Sequence, residues 1–275
     1  MNILKIMDHL SDGDLLNKKA SRRDSFDHLK TLGKNVALAS IPFGLAATSA
    51  KTKAATMAMG SAMTMASPTE ILNFALTLEY LERNFYQMGL DTNGLIPSED
   101  RETFAQISKH ETSHVDFLLA ALGDQAVAEP TFDFTGAPGG LNLDTFTNYQ
   151  TFMALAQGFE DTGVRAYKGQ AGGLIDDDAL LTYALQIHSV EAQHASQVRR
   201  MRGEKGWITK SENTLPSAFN AIYQGSTPES NLTQGGVNLS GMFNDLGGDN
   251  AVSESFDEPL TMGEVNTIAS LFIVS

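Results

Sequence analysis

Glu111-Thr112-Ser113-His114 and Glu191-Ala192-Gln193-His194 repeat one arrangement, a carboxylate followed three residues later by an imidazole. Each has a second carboxylate upstream at nearly the same distance: Glu79 lies 32 residues before Glu111, and Glu160 lies 31 before Glu191. Seven residues after each upstream glutamate stands a tyrosine, Tyr86 and Tyr167. A doubled Glu-x6-Tyr then Glu-x2-His pattern is an internal repeat, and it divides the middle of the chain into two like halves.

Helix signals surround every copy. Ser67-Pro68-Thr69-Glu70 combines an N-cap serine, proline at the first helical position and a capping-box glutamate. The first helix runs from there to about Met88, with Gly89 as its stop. Ser98 caps a second, with Glu99 and Asp100 in its first turn, which ends near Leu122 before Gly123. Residues 124–142 hold Pro130, Gly136, Pro138, Gly139 and Gly140 and read as a long crossover. A third helix spans roughly 144–168, stopped by Gly169, and a fourth runs from about Asp177 to Arg202, stopped by Gly203.

On these helices each repeated glutamate falls in an apolar stripe. Glu79 shares its face with Leu72, Ala75 and Tyr86; Glu111 with Phe104, Ile107, His114, Val115 and Leu118. Glu160 has Met153, Ala156, Val164 and Tyr167; Glu191 has Ala184, Ile187, His194, Ala195 and Val198. In a helix bundle such stripes point inward. Burying one ionised carboxylate costs several kcal/mol, so four together require shared protons or cations. Two divalent ions would balance four carboxylates, and neutral imidazoles would add coordination without charge. The metal ligands expected from this reasoning are Glu79, Glu111, His114, Glu160, Glu191 and His194. Tyr86, Tyr167, Glu82 and His188 are candidates to support those ligands. Glu82 lies one turn after Glu79 and is the rival ligand, but Gly163 occupies its place in the second half, so it reads as solvated or supporting. His110 reads as pointing elsewhere.

One glutamate from each of two helices and Glu-x-x-His from each of the other two resembles the ferritin-like di-iron and di-manganese proteins. Ile71-Leu72-Asn73-Phe74-Ala75-Leu76-Thr77-Leu78-Glu79-Tyr80-Leu81-Glu82 and Phe256-Asp257-Glu258-Pro259-Leu260 resemble, more narrowly, bacterial ferritin-like proteins related to plant desiccation-related proteins. The resemblance covers about 67–275. It implies an all-α fold, a ferritin-like antiparallel four-helix bundle with a long crossover between helices two and three, plus a C-terminal extension. It also implies that Glu111 and Glu191 bridge two iron ions, or alternatively two manganese ions, with Glu79, His114, Glu160 and His194 as terminal ligands. The activity it suggests is an oxidoreductase acting on O2 or peroxide, as oxidase, ferroxidase or catalase. Its alternatives are a non-enzymatic stress or desiccation protein with a structural metal site and, less favoured, iron storage.

The rest of the chain sets limits. The 275 residues are 42% apolar with a formal net charge of −14, which argues against nucleic acid or an anionic membrane as main partner. No cysteine is present, which excludes thiolate metal sites, disulfides and a cysteine nucleophile. Residues 1–50 differ in charge from the remainder of the chain, carrying seven Lys/Arg against five Asp/Glu. Within them, Ser21-Arg22-Arg23-Asp24-Ser25-Phe26 precedes a mildly apolar run from Val36 to Ala50 interrupted by Pro42 and Gly44. That run is too short to span a membrane. It resembles a twin-arginine export signal, with Phe26 one position later than usual, and implies a periplasmic protein, the alternative being a retained cytoplasmic helix. Residues 51–66 read as a linker or arm, 67–203 as the bundle and 204–275 as an extension ending in a short helix that starts at Thr261-Met262-Gly263-Glu264. A homo-oligomer is left open.

Overall fold

The computed structural model describes residues 66–274. The export-like segment and nearly all of the linker therefore lie outside the described residues. Four long helices dominate: α1 (Pro68–Asp91), α2 (Ser98–Leu122), α3 (Tyr149–Ala171) and α4 (Asp178–Met201). α1 packs chiefly on α2 and α3 on α4, and the two hairpins close on each other into a four-helix bundle.

The ends of these helices follow local chemistry. Ser67 forms both halves of its capping box with Glu70 at the start of α1. Asp177 caps α4 by accepting from the backbone N–H groups of Ala179 and Leu180. Two starts differ from expectation. Pro97, not Ser98, occupies the cap position of α2 and gives no side-chain cap. α3 begins at Tyr149 rather than near 144, because Asn148 is its cap. Asp144 instead braces the preceding turn, accepting from the Thr151 hydroxyl at 2.6 Å and the Asn148 amide at 3.0 Å.

Two glycines expected to stop helices lie inside them. A Cβ on Gly89 would meet the Phe152 ring at 2.3 Å, and one on Gly169 would meet the Leu260 carbonyl oxygen at 1.9 Å. Both are glycine because another element packs against the helix backbone there.

The crossover and the extension pack along α3, from Phe159 beside Phe134 and Phe272 to Gly169 beside Leu260. β1 (Thr131–Phe132) in the crossover pairs antiparallel with β4 (Ile273–Val274), in register Thr131 with Val274 and Phe132 with Ile273. A small hairpin of β2 (Thr233–Gln234) and β3 (Val237–Asn238) projects from the extension, followed by α5 (Gly248–Ser253) and α6 (Met262–Ala269). Arg165 on α3 ties this layer down. Fully buried, it donates to the carbonyls of Glu258 at 2.8 Å, Thr227 at 2.6 Å and Ile222, and pairs with Glu229 at 2.8 Å. The Phe256–Leu260 stretch is thus a docking segment, with Leu260 buried and its N–H bonded to the Arg165 carbonyl at 3.1 Å.

The core has two parts. An aromatic cluster holds Phe85, Tyr86, Phe104, Phe134, Phe152 and Phe159, with Phe85 stacked on Phe152 at 4.6 Å. An aliphatic cluster holds Ile71, Leu76, Val115, Leu118 and Ile187. On every long helix the repeated glutamate falls between residues of the two clusters. Among the described residues no helix is long and apolar enough to cross a membrane.

Candidate metal centre

Glu79, Glu111, Glu160 and Glu191 all turn inward and are fully buried at 0% exposure, the degree at which a bare carboxylate cannot stay uncompensated. His194 is buried beside them, and His114 is nearly so. The donors form two groups of four. Glu79, Glu111, His114 and Glu191 make one; Glu111, Glu160, Glu191 and His194 make the other, and within each group the donor atoms lie within 4.8 Å of one another. Glu111 and Glu191 belong to both. The repeat in the sequence has become an approximate two-fold arrangement, each half lending one carboxylate to the other half's group.

Both imidazoles present Nδ1 to the cluster. His114 Nδ1 lies 3.1 Å from Glu79, 3.0 Å from Glu111 and 3.5 Å from Glu191. His194 Nδ1 lies 3.0 Å from Glu111 and 3.3 Å from Glu160. The two tyrosines cross between the hairpins: Tyr86 of α1 donates to Glu160 of α3, and Tyr167 of α3 donates to Glu79 of α1. Each of these two carboxylates is thereby held by the opposite half.

The electrostatics show a cluster short of positive charge. Burial raises the Glu79 carboxyl to about 7, even against the pull of His114. Burial, then the charge of Glu111, pushes Glu191 well above the usual carboxylate range. Burial opposes the charged form of His114, but hydrogen bonds and charge from Glu111 and Glu79 outweigh it and raise the ring to about 10. For His194 burial likewise opposes, and the charge of Glu160 with the close approach of Glu111 raises it to about 10. Glu111 goes the other way: burial would raise it, but the two histidines hold it down to about 2. Burial favours protons on these carboxylates, and the positive charge of a cation would serve the same end.

A pair of cations fits these residues. Both oxygens of Glu191 are buried without a hydrogen-bond partner, and His194 Nδ1 approaches Glu111 Oε1 at 3.0 Å and Glu160 Oε2 at 3.3 Å without the alignment of a hydrogen bond. Buried polar atoms in native proteins nearly always have one, so orphans converging from three helices mark a place for an ion. Oxygen and imidazole donors without sulfur suit iron, manganese or zinc.

The supporting residues divide. Glu82 is not solvated, as the sequence allowed, but 3% exposed, so it adds a fifth buried carboxylate. Burial and then the charges of Glu79, Glu160 and Glu111 push its carboxyl well up. It lies in neither donor group. Gly163 makes room for it: a Cβ there would sit 2.6 Å from Glu191 Oε2 and 3.2 Å from Glu82 Oε1. His188 also stands outside both groups, with its Nδ1 buried and unpartnered. His110, expected to point elsewhere, is a correction: its Nδ1 lies 2.8 Å from Nε2 of His194. Helical position hid this contact, because one residue before Glu111 is about 100° around the helix and faces α4 rather than the centre. The signal that could have found it is its mismatch with Val190 in the repeat.

No curated protein matches the chain. A family profile does, over residues 67–204, which holds all four long helices and all six donors. The chain belongs to the ferritin-like domain family.

Proposed function

We propose that this protein holds a pair of iron or, alternatively, manganese ions and acts as an oxidoreductase on O2 or peroxide. The observation that carries the reading is the pair of four-donor groups sharing Glu111 and Glu191, with orphaned buried oxygens at their meeting point. In the proposed roles Glu111 and Glu191 would help hold both ions, Glu79 with His114 would hold one, and Glu160 with His194 would hold the other. When bound, two adjacent redox-active ions supply paired one-electron changes to a small oxidant.

The chain's own residues supply the rest. Tyr86 and Tyr167 orient Glu160 and Glu79 by hydrogen bonds, so neither carboxylate must reorganise to accept a cation. The aromatic and aliphatic clusters on either side keep water from the ends of the site. A cleft of about 240 Å³ lined by His114, Phe117, Tyr183, Gln186, Ile187 and Val190 gives a small uncharged molecule a way to the His114 side.

The second reading is a non-enzymatic stress or desiccation-related protein whose metal stabilises the bundle. The complete burial of all four repeated carboxylates favours it, since such a site contributes to folding whenever it is filled. Elemental analysis of natively purified protein, followed by oxygen and peroxide consumption on the same sample, separates the two. Two redox-active ions with turnover support the oxidoreductase. Metal without turnover supports the structural reading, and protein that takes up no metal overturns both.

A further inference from the structure

The two halves support their histidines unequally. His194 Nε2 meets His110 Nδ1 at 2.8 Å, with ring centroids 5.1 Å apart and planes 11° from parallel, which fits an edge-to-edge N–H···N hydrogen bond. The other nitrogen of His110, Nε2, lies 2.7 Å from the side-chain amide nitrogen of Gln106. Aligning Glu111 with Glu191 places Val190 opposite His110 and Gln186 opposite Gln106. Val190 and Gln186 line the cleft beside His114. Where the first half sets an imidazole against His194, the second sets an isopropyl group near His114 and leaves open space.

An imidazole that binds a cation through Nδ1 carries its proton on Nε2, and that N–H needs an acceptor where water is scarce. For His194 the acceptor is His110 Nδ1, whose own Nε2–H goes to Gln106 once that amide is turned so that its oxygen, rather than the nitrogen placed at 2.7 Å, faces the ring. With the protons of this relay reversed, the Nδ1 proton of His194 would point at the carboxylates and block a cation. His114 makes its contacts through Nδ1, and Val190, which has no acceptor to offer, lines the cleft beside it.

We propose that His110, held by Gln106, is a positioning residue that fixes His194 in the tautomer and ring orientation able to bind metal, and that Val190 denies His114 the same support, so the two metal positions differ in affinity. The inference rests on the dinuclear reading above. It makes the position of Glu160 and His194 the tighter one and the position of Glu79 and His114, beside the cleft, the looser.

The test is equilibrium binding of Mn²⁺ to the metal-free full chain and its variants, with thermal unfolding of each metal-free variant to confirm the fold. The unaltered protein should bind two ions with unequal affinity. H110V, which copies the other half, should weaken the tighter ion by about 10- to 100-fold. H110N, which keeps an acceptor at the place of Nδ1, should restore most of that loss, as a merely space-filling role would not allow. V190H should tighten the weaker ion. Two ions bound with H110V unchanged, or H110N as poor as H110V, overturns the inference alone. No ion bound by the unaltered protein overturns the dinuclear reading and the inference with it.

Discussion

Tyr86 on the first helix hydrogen-bonds Glu160 on the third, so a carboxylate of one hairpin takes its donor from the other. Tyr167 does the same for Glu79 in the reverse direction. Y86F and Y167F each leave a buried carboxylate oxygen without its donor. We expect either change to lower metal affinity about 10-fold, and the pair together to lower it more. Metal titration of the three variants measures this. Full affinity in the double variant would show that the tyrosines only fill space.

Glu79 belongs to a donor group and Glu82 does not. E79A should therefore lose at least one ion per chain. E82A should keep both, with at most about a 10-fold loss in affinity. Metal content after identical purification decides between them. Loss in E82A and retention in E79A would move the first-helix ligand by one turn.

G163A tests the crowding around the shared carboxylate. The added methyl would sit 2.6 Å from Glu191 Oε2, so that oxygen must move. Because Glu191 serves both groups, binding of both ions should weaken while the helix itself gains propensity. The expected result is a metal-free protein at least as helical by circular dichroism and a metal isotherm shifted for both ions. A shift for one ion alone would argue against a shared Glu191.

The stability of the metal-free protein should fall as pH rises. Glu79, raised from 4.5 to about 7, and His114 and His194, raised from 6.5 to about 10, bind protons more tightly folded than unfolded. Their contribution is complete below the unfolded values and is lost as pH climbs through the folded ones. Glu111, lowered to about 2, has the opposite sign, and its contribution is lost only as pH falls below 4.5. Bound cations replace the protons, so the loaded protein should decline less. Thermal midpoints from about pH 5 to about pH 9 should show the gap between loaded and metal-free protein widening. A constant gap would count against cations and protons sharing one site.

Arg165→Ala should be costly away from the metal. It strips a buried Glu229 of its partner and leaves several carbonyls of the extension without a donor. A loss on the order of 3–5 kcal/mol is expected by denaturant unfolding, along with faster proteolysis within 222–260. A loss below about 1 kcal/mol would mean that Leu260 and its neighbours dock the extension without help.

The fold was legible where local chemistry decides. The capping box at Ser67, the cap at Asp177 and the doubled glutamate stripes stand in the sequence at their structural places. What stayed hidden depends on partners distant in sequence. Gly89 and Gly169 look like helix stops until Phe152 and Leu260 are seen against them. Comparison with Gly163 leaves Glu82 either solvated or supporting, and only the structure shows that this glycine makes room for its buried carboxylate. The six donors were readable because burial, charge and spacing agreed on them. His110 was not, because its contact crosses between helices at an angle that no single-helix pattern records.

The exchange of Glu111 and Glu191 between donor groups has a consequence for how such a protein can arise. Three donors of the first group come from the first hairpin and the fourth from the second; the second group inverts the count. A lone hairpin of this kind would be left with an incomplete set, and could fill it only by meeting another copy of itself. A self-associating hairpin and a fused tandem would then present the same centre. A fused tandem leaves the two halves free to differ, and the contrasts of Glu82 with Gly163 and of His110 with Val190 are two places where they do.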